Sequence, residues 1–429
     1  MTEATDERTA LAGEMAFALK EQLLEVWYPL AVDTEHGGFL SDFSYRWEPE
    51  GPQRKMIVTQ ARHVWAASKA AALYPEDSRY LDAAAHGFAF LHDVMWDAEF
   101  GGFYALVTRE GTVVTTEGDG WLRKTAYGNA FGIYGLAAYY HASGDTAALQ
   151  LAQDAFHWLE THSHDTVNKG YYQFLERGGS PLVDGHGETP PKDQNSTIHL
   201  LEAFTELYQV WPDSLLRQRL SELLILVRDT ITTETGYMNL FFEADWTPVT
   251  YRDADAADRE AHYHLDHVSF GHDVETAFLM MEASEVLGLH NDTTTLRIGK
   301  KMVDHALRYG WDESIGGFYD EGYYFKGDTT LTILADTKVW WAQAEALNTL
   351  LIMADLYPDD QQPYFDHFET LWAYTKTYLI DAEHGGWYWG GLDKEPERKT
   401  SPKGQIWKGS YHTVRSLMNC VQRLREDVG

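Results

Sequence analysis

The sequence predicts an all-α fold, an (α/α)6 barrel of twelve helices with short β-hairpins between the helix pairs. Three observations favour it: six short glycine signatures recur along the chain, two helical patterns separate successive signatures, and one helix of each pair is apolar all round. The signature glycines lie 64, 69, 66, 80 and 69 residues apart, at Gly37, Gly101, Gly170, Gly236, Gly316 and Gly385. Self-similarity at a nearly fixed period is typical of a repeat architecture.

The glycine signatures alternate aromatic and polar residues over a few positions, as in DAEFGGFYALV (97–107) and DAEHGGWYWGG (381–391). Alternation with period two over so short a stretch predicts β-hairpins or extended turns. The glycines then lie in turns whose backbone conformation other residues tolerate poorly. On this interpretation the signatures belong to the scaffold and need not contact a substrate.

Between the signatures, apolar residues recur at i, i+3, i+4 and i+7, which predicts amphipathic helices. The predicted helices are 8–28, 57–74, 78–95, 124–143, 145–162, 194–211, 213–233, 269–287, 292–310, 338–357, 362–380 and 410–426. Pro75, Pro212 and Pro358 follow the first helices of three pairs, where a proline ends a helix. The first helices, such as AYGNAFGIYGLAAYY, predict an inner ring, and neither end of the chain has the polar cap of an open solenoid.

Composition bounds the partners and the compartment. The 429 residues show no linker or low-complexity tract, so we expect a single domain over 1–429. A net charge of −32 disfavours nucleic acid or an anionic membrane as partner. The N-terminus lacks an apolar signal region, no run of 18 apolar residues occurs, and Cys420 is the single cysteine. We therefore expect a cytoplasmic monomer or weak homodimer without disulfides within the chain.

Reactive residues recur at the start of each predicted inner helix. From Arg62 the successive intervals to Tyr127, His199, His272, Trp341 and His412 are 65, 72, 73, 69 and 71 residues, which nearly match the signature period. Close to them lie Asn129, Asn195, Glu275, Trp340, Gln343, Glu345 and Arg415. A lone histidine on an apolar helix face is usually a core residue, but recurrence in phase predicts that these side chains share one mouth of the barrel.

Histidines near neutral pKa, together with an arginine, suit proton abstraction beside a carbonyl group. A sugar would first ring-open and then lose its C2 proton, and Arg62 would bind the enediolate oxygen. Glu275 lies one turn from His272 and is expected to hold the tautomer of that imidazole. Aromatic faces would hold the sugar, so this chemistry requires no metal and no redox cofactor.

The segment HYHLDH (262–267) has a metal-like spacing of His262, His264, Asp266 and His267. No cysteine and no second spaced pair accompanies it, so a surface loop is favoured over a metal site. The segment lengthens the fourth step to 80 residues and directly precedes the helix of His272. We expect it to be a lid or a loop that contacts the substrate.

Four motifs, FGHDVE, WWAQAEA, WKGSYH and NSTIHLLEA, resemble the N-acylglucosamine 2-epimerase superfamily, most closely its cellobiose and mannose 2-epimerases. The resemblance extends from HGGF at 36–39 to YHTVR at 411–415. It implies an (α/α)6 barrel in which His272 and His412 are the acid–base pair at C2, His199 assists ring opening and Arg62 binds the C1 and C2 oxygens. It also implies binding or orienting roles for Tyr127, Asn195, Glu275, Trp341 and Trp407.

The chain departs from that pattern in two places. Thr197 stands where the related cellobiose epimerases carry a histidine (STIH for THLH), and those enzymes lack the long 251–267 loop. A longer lid would close off the space for a second sugar ring, so we expect a cofactor-independent 2-epimerase of D-mannose and D-glucose. The alternatives are a cellobiose 2-epimerase, a mannose–fructose isomerase that returns the proton to C1, a glycoside hydrolase with two paired carboxylates, and a non-catalytic sugar-binding protein.

Overall fold

The computed structural model describes residues 2–114 and 124–426, and these ranges are mostly helical. In chain order the helices are α1 (Thr2–Phe17), α2 (Glu25–Leu30), α3 (Ile57–Leu73), α4 (Ser78–Phe90), α5 (Ala126–Ser143), α6 (Thr146–His162), α7 (Gln194–Val210), α8 (Ser214–Leu226), α9 (Ala256–Asp266), α10 (Phe270–Val286), α11 (Thr293–Gly310), α12 (Trp340–Leu356), α13 (Tyr364–Tyr374) and α14 (Tyr411–Arg425). The strands are β1 (Lys55–Met56), β2 (Leu106–Val107), β3 (Lys124–Thr125), β4 (Phe174–Leu175), β5 (Lys192–Asp193), β6 (Phe241–Phe242), β7 (Val268–Ser269), β8 (Glu321–Tyr323) and β9 (Thr332–Ala335).

Six helices form a closed inner ring. Each of α3, α5, α7, α10, α12 and α14 packs against the next, and α14 returns to α3. The outer layer consists of α1 with α2, then α4, α6, α8, α11 and α13, each beside an inner partner. The predicted (α/α)6 barrel is confirmed, and its helix bounds lie within a few residues of the sequence prediction, apart from the N-terminal helix, which begins at Thr2. Helix α9 stands outside the twelve.

Small residues let the inner helices approach closely. Helix α5 is buried over nearly its whole length, and a Cβ at Gly135 would come within 2.6 Å of the Ala61 carbonyl oxygen on α3. Only glycine fits at this helix crossing, which explains why the inner helices are rich in glycine and alanine. The apolar character that predicted an inner position therefore has a direct packing cause.

The outer helices begin and end in a repeated way. Aspartates cap the N-termini of α4, α6, α8 and α11 by accepting backbone N–H bonds, at Asp77, Asp145, Asp213 and Asp292. Short π-helical segments extend α1, α4, α8 and α13 at their C-terminal ends, over Ala18–Leu24, Leu91–Met95, Val227–Ile231 and Thr375–Leu379. Each segment except the first, which continues into α2, leads into a glycine signature.

Buried lysines fasten the glycine signatures to the inner ring. In the first repeat Lys55 Nζ donates to Asp33 Oδ2 (2.9 Å) and to the Gly37 carbonyl oxygen (2.6 Å), and Gly37 has a φ of +80°. We call this pairing the Lys–Asp clamp. It recurs as Lys124–Asp97, Lys192–Asp165, Lys338–Asp312 and Lys403–Asp381, at 2.9, 2.8, 2.8 and 2.6 Å. The clamp fixes the segment that leads into an inner helix, and so helps to position the start of that helix.

The fourth repeat lacks the clamp. Thr233 stands at the aspartate position and Val268 at the lysine position. This is also the repeat with the 80-residue step. Its extra residues form the segment 250–267, which includes α9 and which we call the rim segment. The strand β7 that follows it belongs to the three-stranded sheet β7–β8–β9. The other sheets, β1–β2, β3–β4 and β5–β6, have two strands each.

The rim segment is firmly anchored to the β8–β9 hairpin. Asp266 Oδ2 accepts bonds from the Tyr251 backbone N–H (2.7 Å) and the Tyr323 hydroxyl (2.9 Å). The Tyr263 ring packs against Tyr323 at a centroid distance of 4.7 Å. The segment contains a capped helix, since Asp255 accepts N–H bonds at its start, and for this stretch the sequence left a charged loop and a short helix open.

The histidines of the rim segment do not converge on a metal position. His262 stacks on Tyr251 with ring centroids 4.0 Å apart, and its Nε2 lies 3.9 Å from Glu188. His267 Nδ1 lies 3.0 Å from the Tyr263 carbonyl oxygen. His262 and His267 are thus each engaged by structural partners of their own.

Within residues 2–114 and 124–426, none of the helices combines the length and the apolar character that crossing a lipid bilayer requires.

Candidate functional site

A cavity of about 400 Å³ opens at the end of the barrel where the inner helices begin. All nine residues predicted for the site line it: Arg62, Tyr127, Asn195, His199, His272, Glu275, Trp341, Trp407 and His412. They come from all six inner helices and from the loop before α14. The phase of the repeat therefore located one pocket from residues spread over 350 positions of the sequence.

Two of the three histidines are held by buried carboxylates. His412 Nδ1 lies 2.6 Å from Glu345 Oε1, and His199 Nδ1 lies 2.8 Å from Glu202 Oε2. A partner on Nδ1 fixes the ring orientation and leaves Nε2 as the nitrogen that faces a ligand. Both rings are thus oriented before any substrate binds.

His272 has a different partner from the one expected. Its Nδ1 lies 2.8 Å from the Ser269 hydroxyl, at the N-cap of α10. The prediction that Glu275 holds the tautomer of His272 is wrong. Glu275 Oε1 contacts Arg415 and lies 4.0 Å from His412 Nδ1, because the guanidinium on α14 attracts the carboxylate across the barrel.

Arg415 lies at the centre of a buried network of three glutamates. Its Nη2 is 2.7 Å from Glu345 and also contacts Glu275, while Nη1 contacts Glu202. Burial raises the pKa of Glu345 to about 7, and the neighbouring Glu202 adds to this effect against the pull of Arg415. Burial also opposes ionisation of Glu202, but Arg415 and His199 outweigh it and hold its pKa at about 2.

Glu275, Glu345 and His412 bring three potential metal-ligand atoms within 4.8 Å of one another. The Arg415 guanidinium already contacts both carboxylates of this group. The positive charge that neutralises the carboxylates is therefore supplied by a side chain at Oε1 of each, while Oε2 of Glu275 and of Glu345 is buried without a hydrogen-bond partner among the described residues.

Arg62 presents a cation to the cavity without a carboxylate partner. Its Nη2 donates to the Tyr127 hydroxyl (3.0 Å), and its guanidinium lies between the rings of Phe131 and Tyr411, at 4.2 and 4.8 Å from their centroids. No carboxylate of the described residues lies within ion-pair distance of it. A buried guanidinium with free donors suits an oxygen that gains negative charge.

The ring of Trp341 packs beside the rings of both His272 and His412. Its ring centroid lies 4.7 Å from that of His272 and 5.7 Å from that of His412. Trp407 stands at the mouth of the cavity with 43% of its surface exposed. Indole faces of this kind pack well against the C–H groups of a sugar.

Tyr127 and Asn195 supply polar groups to the same wall. The Tyr127 ring packs edge-on against His199 at 5.3 Å, and burial raises the pKa of its hydroxyl. Asn195 Oδ1 is buried without a hydrogen-bond partner among the described residues. It is therefore available to accept a bond from a ligand hydroxyl.

Of three further residues of the buried network, Glu345 and Arg415 were predicted to lie near the mouth of the barrel without an assigned role, and Glu202 was missed. They are spaced from predicted residues by one helical turn: Glu202 three after His199, Glu345 four after Trp341, and Arg415 three after His412. Residues three or four apart share a helix face, so this spacing is the signal that identifies them.

Four other lining residues carry no such signal because they lie outside the helices: Asp320, Val339, Trp389 and Gln405. Trp340 also lines the cavity and was predicted to lie near the mouth. Burial raises the pKa of Asp320 to about 7, and Glu321 and Glu395 add to this effect. The cavity thus contains an acid that the helix periodicity could not reveal.

The rim segment does not line the cavity, which corrects the expectation that it contacts the substrate directly. Its side chains are engaged by the β8–β9 hairpin and by the loop that carries Glu188. It approaches the cavity through His267, whose Nε2 lies 3.7 Å from Glu321, the neighbour of Asp320.

Known proteins resemble this chain over nearly its whole length. The family model of N-acylglucosamine 2-epimerase (GlcNAc 2-epimerase) matches residues 38–416. The chain is 30% identical to the cellobiose 2-epimerase of Bacteroides fragilis over 421 residues, which cover 97% of this chain and 99% of that protein. It is 24% identical to the D-mannose isomerase of Thermobifida fusca over 95% and 94% of the two chains. The solved cellobiose 2-epimerase of Spirochaeta thermophila DSM 6192 superposes with a TM-score of 0.81 at 30% identity, over 98% of each chain.

Proposed function

Since the chain belongs to the N-acylglucosamine 2-epimerase family and is an enzyme of the carbohydrate epimerase and isomerase class, we propose that it interconverts D-mannose and D-glucose at C2 without a metal or redox cofactor. One observation carries the proposal. His272 and His412 both lie against the Trp341 ring in a cavity that also contains Arg62. Two imidazoles and one unpaired guanidinium are the groups that proton exchange beside a carbonyl requires.

The reaction begins with opening of the sugar ring. A base removes the proton of the anomeric hydroxyl, and an acid protonates the ring oxygen as the C1–O5 bond breaks. His199 suits this step because Glu202 binds its Nδ1 and stabilises the imidazolium form. The product is the open-chain aldehyde, with C1 as the carbonyl carbon.

Inversion then occurs at C2. One histidine of the His272–His412 pair takes the C2 proton, and the C–H electron pair becomes the C1–C2 double bond of a cis-enediolate. Arg62 and Tyr127 donate hydrogen bonds to the oxygen that gains negative charge. The other histidine returns a proton to C2 from the opposite face, which regenerates the aldehyde with inverted configuration.

The preference for a monosaccharide rests on the rim segment. Its helix α9 connects the loop of Glu188 to the β8–β9 hairpin, and so spans one sector of the barrel rim above the start of α10. A span at this position would restrict the volume outside the cavity in which a second sugar ring would extend.

The catalytic proposal predicts that His272→Ala and His412→Ala each abolish turnover of mannose while the protein stays folded. Removing either base leaves the intermediate without a proton donor or acceptor on one face. Turnover in D2O, followed by product identification, measures this, and the wild type should place deuterium at C2 of the product. Unchanged far-UV circular dichroism and thermal midpoint are the control.

Activity of either variant within tenfold of the wild type would overturn the proposal. The products also separate the alternatives. Formation of fructose from mannose would identify an aldose–ketose isomerase. Epimerisation of cellobiose without conversion of mannose would identify a disaccharide epimerase. Release of new reducing ends from an oligosaccharide would identify a hydrolase.

The rim segment predicts substrate size. Deleting 254–265 spares Asp266 and its bonds to Tyr251 and Tyr323, so the hairpin keeps its anchor. We expect activity on cellobiose to rise relative to activity on mannose, measured as the ratio of kcat/KM values. Lys326→Ala is the matched control, because it removes only the exposed pair with Asp253. An unchanged ratio after the deletion would count against the size argument.

A further inference from the structure

The serine at the start of α10 does not perform the usual function of its position. Thr125, at the equivalent N-cap of α5, accepts a bond from the Gly128 backbone N–H at 2.9 Å. Ser269 makes no such side-chain bond to the helix, and its hydroxyl oxygen lies 2.8 Å from His272 Nδ1 instead. The side chain of this cap has been diverted from the helix backbone to a side chain of the cavity.

The backbone holds Ser269 in place. It is the second residue of β7 and pairs with Glu321 of β8, and only 5% of its surface is exposed. Asp320, the residue before Glu321, lines the same cavity. The hydroxyl therefore has little freedom to leave the imidazole, since its strand and its helix are both fixed.

A hydroxyl partner affects an imidazole differently from a carboxylate. Nδ1 carries a hydrogen in the imidazolium form and in the neutral form whose Nε2 is unprotonated. In both forms this Nδ1–H can donate to the serine oxygen. A neutral oxygen does not offer the negative charge that the carboxylates beside His412 and His199 present to Nδ1. Burial lowers the pKa of His272 to about 3 and also lowers the pKa of His412, so the difference between these two rings is the partner of Nδ1.

We propose that Ser269 is a positioning residue that keeps His272 neutral with a bare Nε2 toward the cavity, ready to accept a proton from C2. The inference rests on the proposed epimerase function. His272 then begins the reaction of one epimer as the proton acceptor: the C2–H bond breaks, its electron pair forms the enediolate, and the proton moves to Nε2. His412, on its carboxylate partner, serves the other face.

The test combines two substitutions at Ser269 with one at another cap. Ser269→Ala should lower kcat ten- to hundred-fold with KM within about twofold, the range seen when the partner of an oriented histidine is lost. Ser269→Thr keeps the hydroxyl and should restore kcat to within about threefold. Thr125→Ala removes a true cap and should lower the thermal midpoint without a comparable loss of kcat.

Isotope exchange identifies the face on which His272 acts. His412→Ala should still exchange the C2 hydrogen of one epimer with D2O, without net conversion, through the remaining histidine. Ser269→Ala in that background should suppress this residual exchange. Nitrogen-15 NMR of the imidazole, assigned against His272→Ala, should show a protonated Nδ1 in the wild type and a tautomer mixture in Ser269→Ala.

The outcomes separate the two claims. A wild type that neither converts nor exchanges any aldose would overturn the proposed function, and the NMR tautomer would still decide the role of Ser269. Normal exchange by the wild type together with unchanged kcat in Ser269→Ala would overturn the positioning role alone. Loss of stability in Ser269→Ala with no rescue by Ser269→Thr would also overturn it, because it would indicate a structural cap.

Discussion

At the scale of single residues, the site is governed by which atom each histidine has as partner. His412 and His199 have carboxylates, and His272 has a hydroxyl. The three imidazoles are therefore chemically unequal although all three lie near the start of an inner helix. Unequal partners suit a reaction in which one group gives a proton while another takes one.

The substitution Glu345→Gln tests what the carboxylate partner of His412 contributes to catalysis and what its burial costs in stability. The amide keeps the size of the side chain but removes the charge that supports the His412 imidazolium, so kcat should fall by roughly ten- to hundred-fold. The stability of the folded variant, in contrast, should rise above that of the wild type at high pH. Since burial raises the pKa of Glu345 to about 7, its favourable contribution is complete below the unfolded pKa near 4.5 and is lost as the pH rises through 7.

The thermal midpoint of Glu345→Gln should therefore exceed that of the wild type at pH 8, and the difference should shrink as the pH falls toward 4.5. Scanning calorimetry across this range provides the measurement, with steady-state kinetics beside it. A variant that is less stable at pH 8 would show that the ionised carboxylate is stabilised by Arg415 more than it is penalised by burial.

At the scale of elements, the Lys–Asp clamp is the recurring device that joins each signature to an inner helix. Lys124 and Asp97 are both at most 1% exposed, and Arg177 adds a second contact to Asp97 at 2.8 Å. Burial opposes ionisation of Asp97, but Arg177 and Lys124 outweigh it and hold the pKa of its carboxyl below the usual range. The fourth repeat shows that threonine and valine can occupy the same two positions.

Removing only the lysine of one Lys–Asp clamp should destabilise the protein more than replacing the lysine and the aspartate together. Lys124→Met leaves a buried carboxylate with a single cationic partner and should lower the free energy of unfolding by about 3 kcal/mol or more. The double variant Asp97→Thr with Lys124→Val copies the fourth repeat and should lose less than Lys124→Met alone. Denaturant titration measures both. Equal losses would mean that the clamp contributes net stability and is more than a device of alignment.

At the scale of the whole molecule, the dominant property is a net charge of −32. Charge of one sign distributed over a compact body disfavours the folded state through self-repulsion, and salt screens that repulsion over a Debye length of about 10 Å at 0.1 M. We expect the thermal midpoint to rise by a few degrees between 20 and 500 mM NaCl. The gap between the wild type and Lys124→Met should stay nearly constant, because buried pairs are screened little. A flat or falling midpoint would contradict the argument.

The sequence was most informative where a periodic signal existed. The helix pairs, the ring and eight of the nine predicted site residues follow from one period, since the starts of the inner helices point to the same end, and the family resemblance added Trp407. The partners within the cavity did not follow. Arg415 meets Glu202 across 213 positions, and such contacts depend on which helix faces oppose each other over the barrel axis. Asp320 and Ser269 were missed because their importance arises from a loop path and a diverted cap.

The absent clamp of the fourth repeat has a consequence for how this fold diversifies. Within the part of the barrel that the structure describes, an insertion in the fourth repeat leaves no buried charge of a Lys–Asp clamp unpaired. An insertion between the aspartate and the lysine of a clamp would strain that pair. Insertions and deletions in the chain are therefore best accommodated in the stretch that precedes His272. The rim segment can change while α10, with His272, and the inner helices of the other five repeats preserve the reacting groups, which separates the evolution of specificity from that of catalysis.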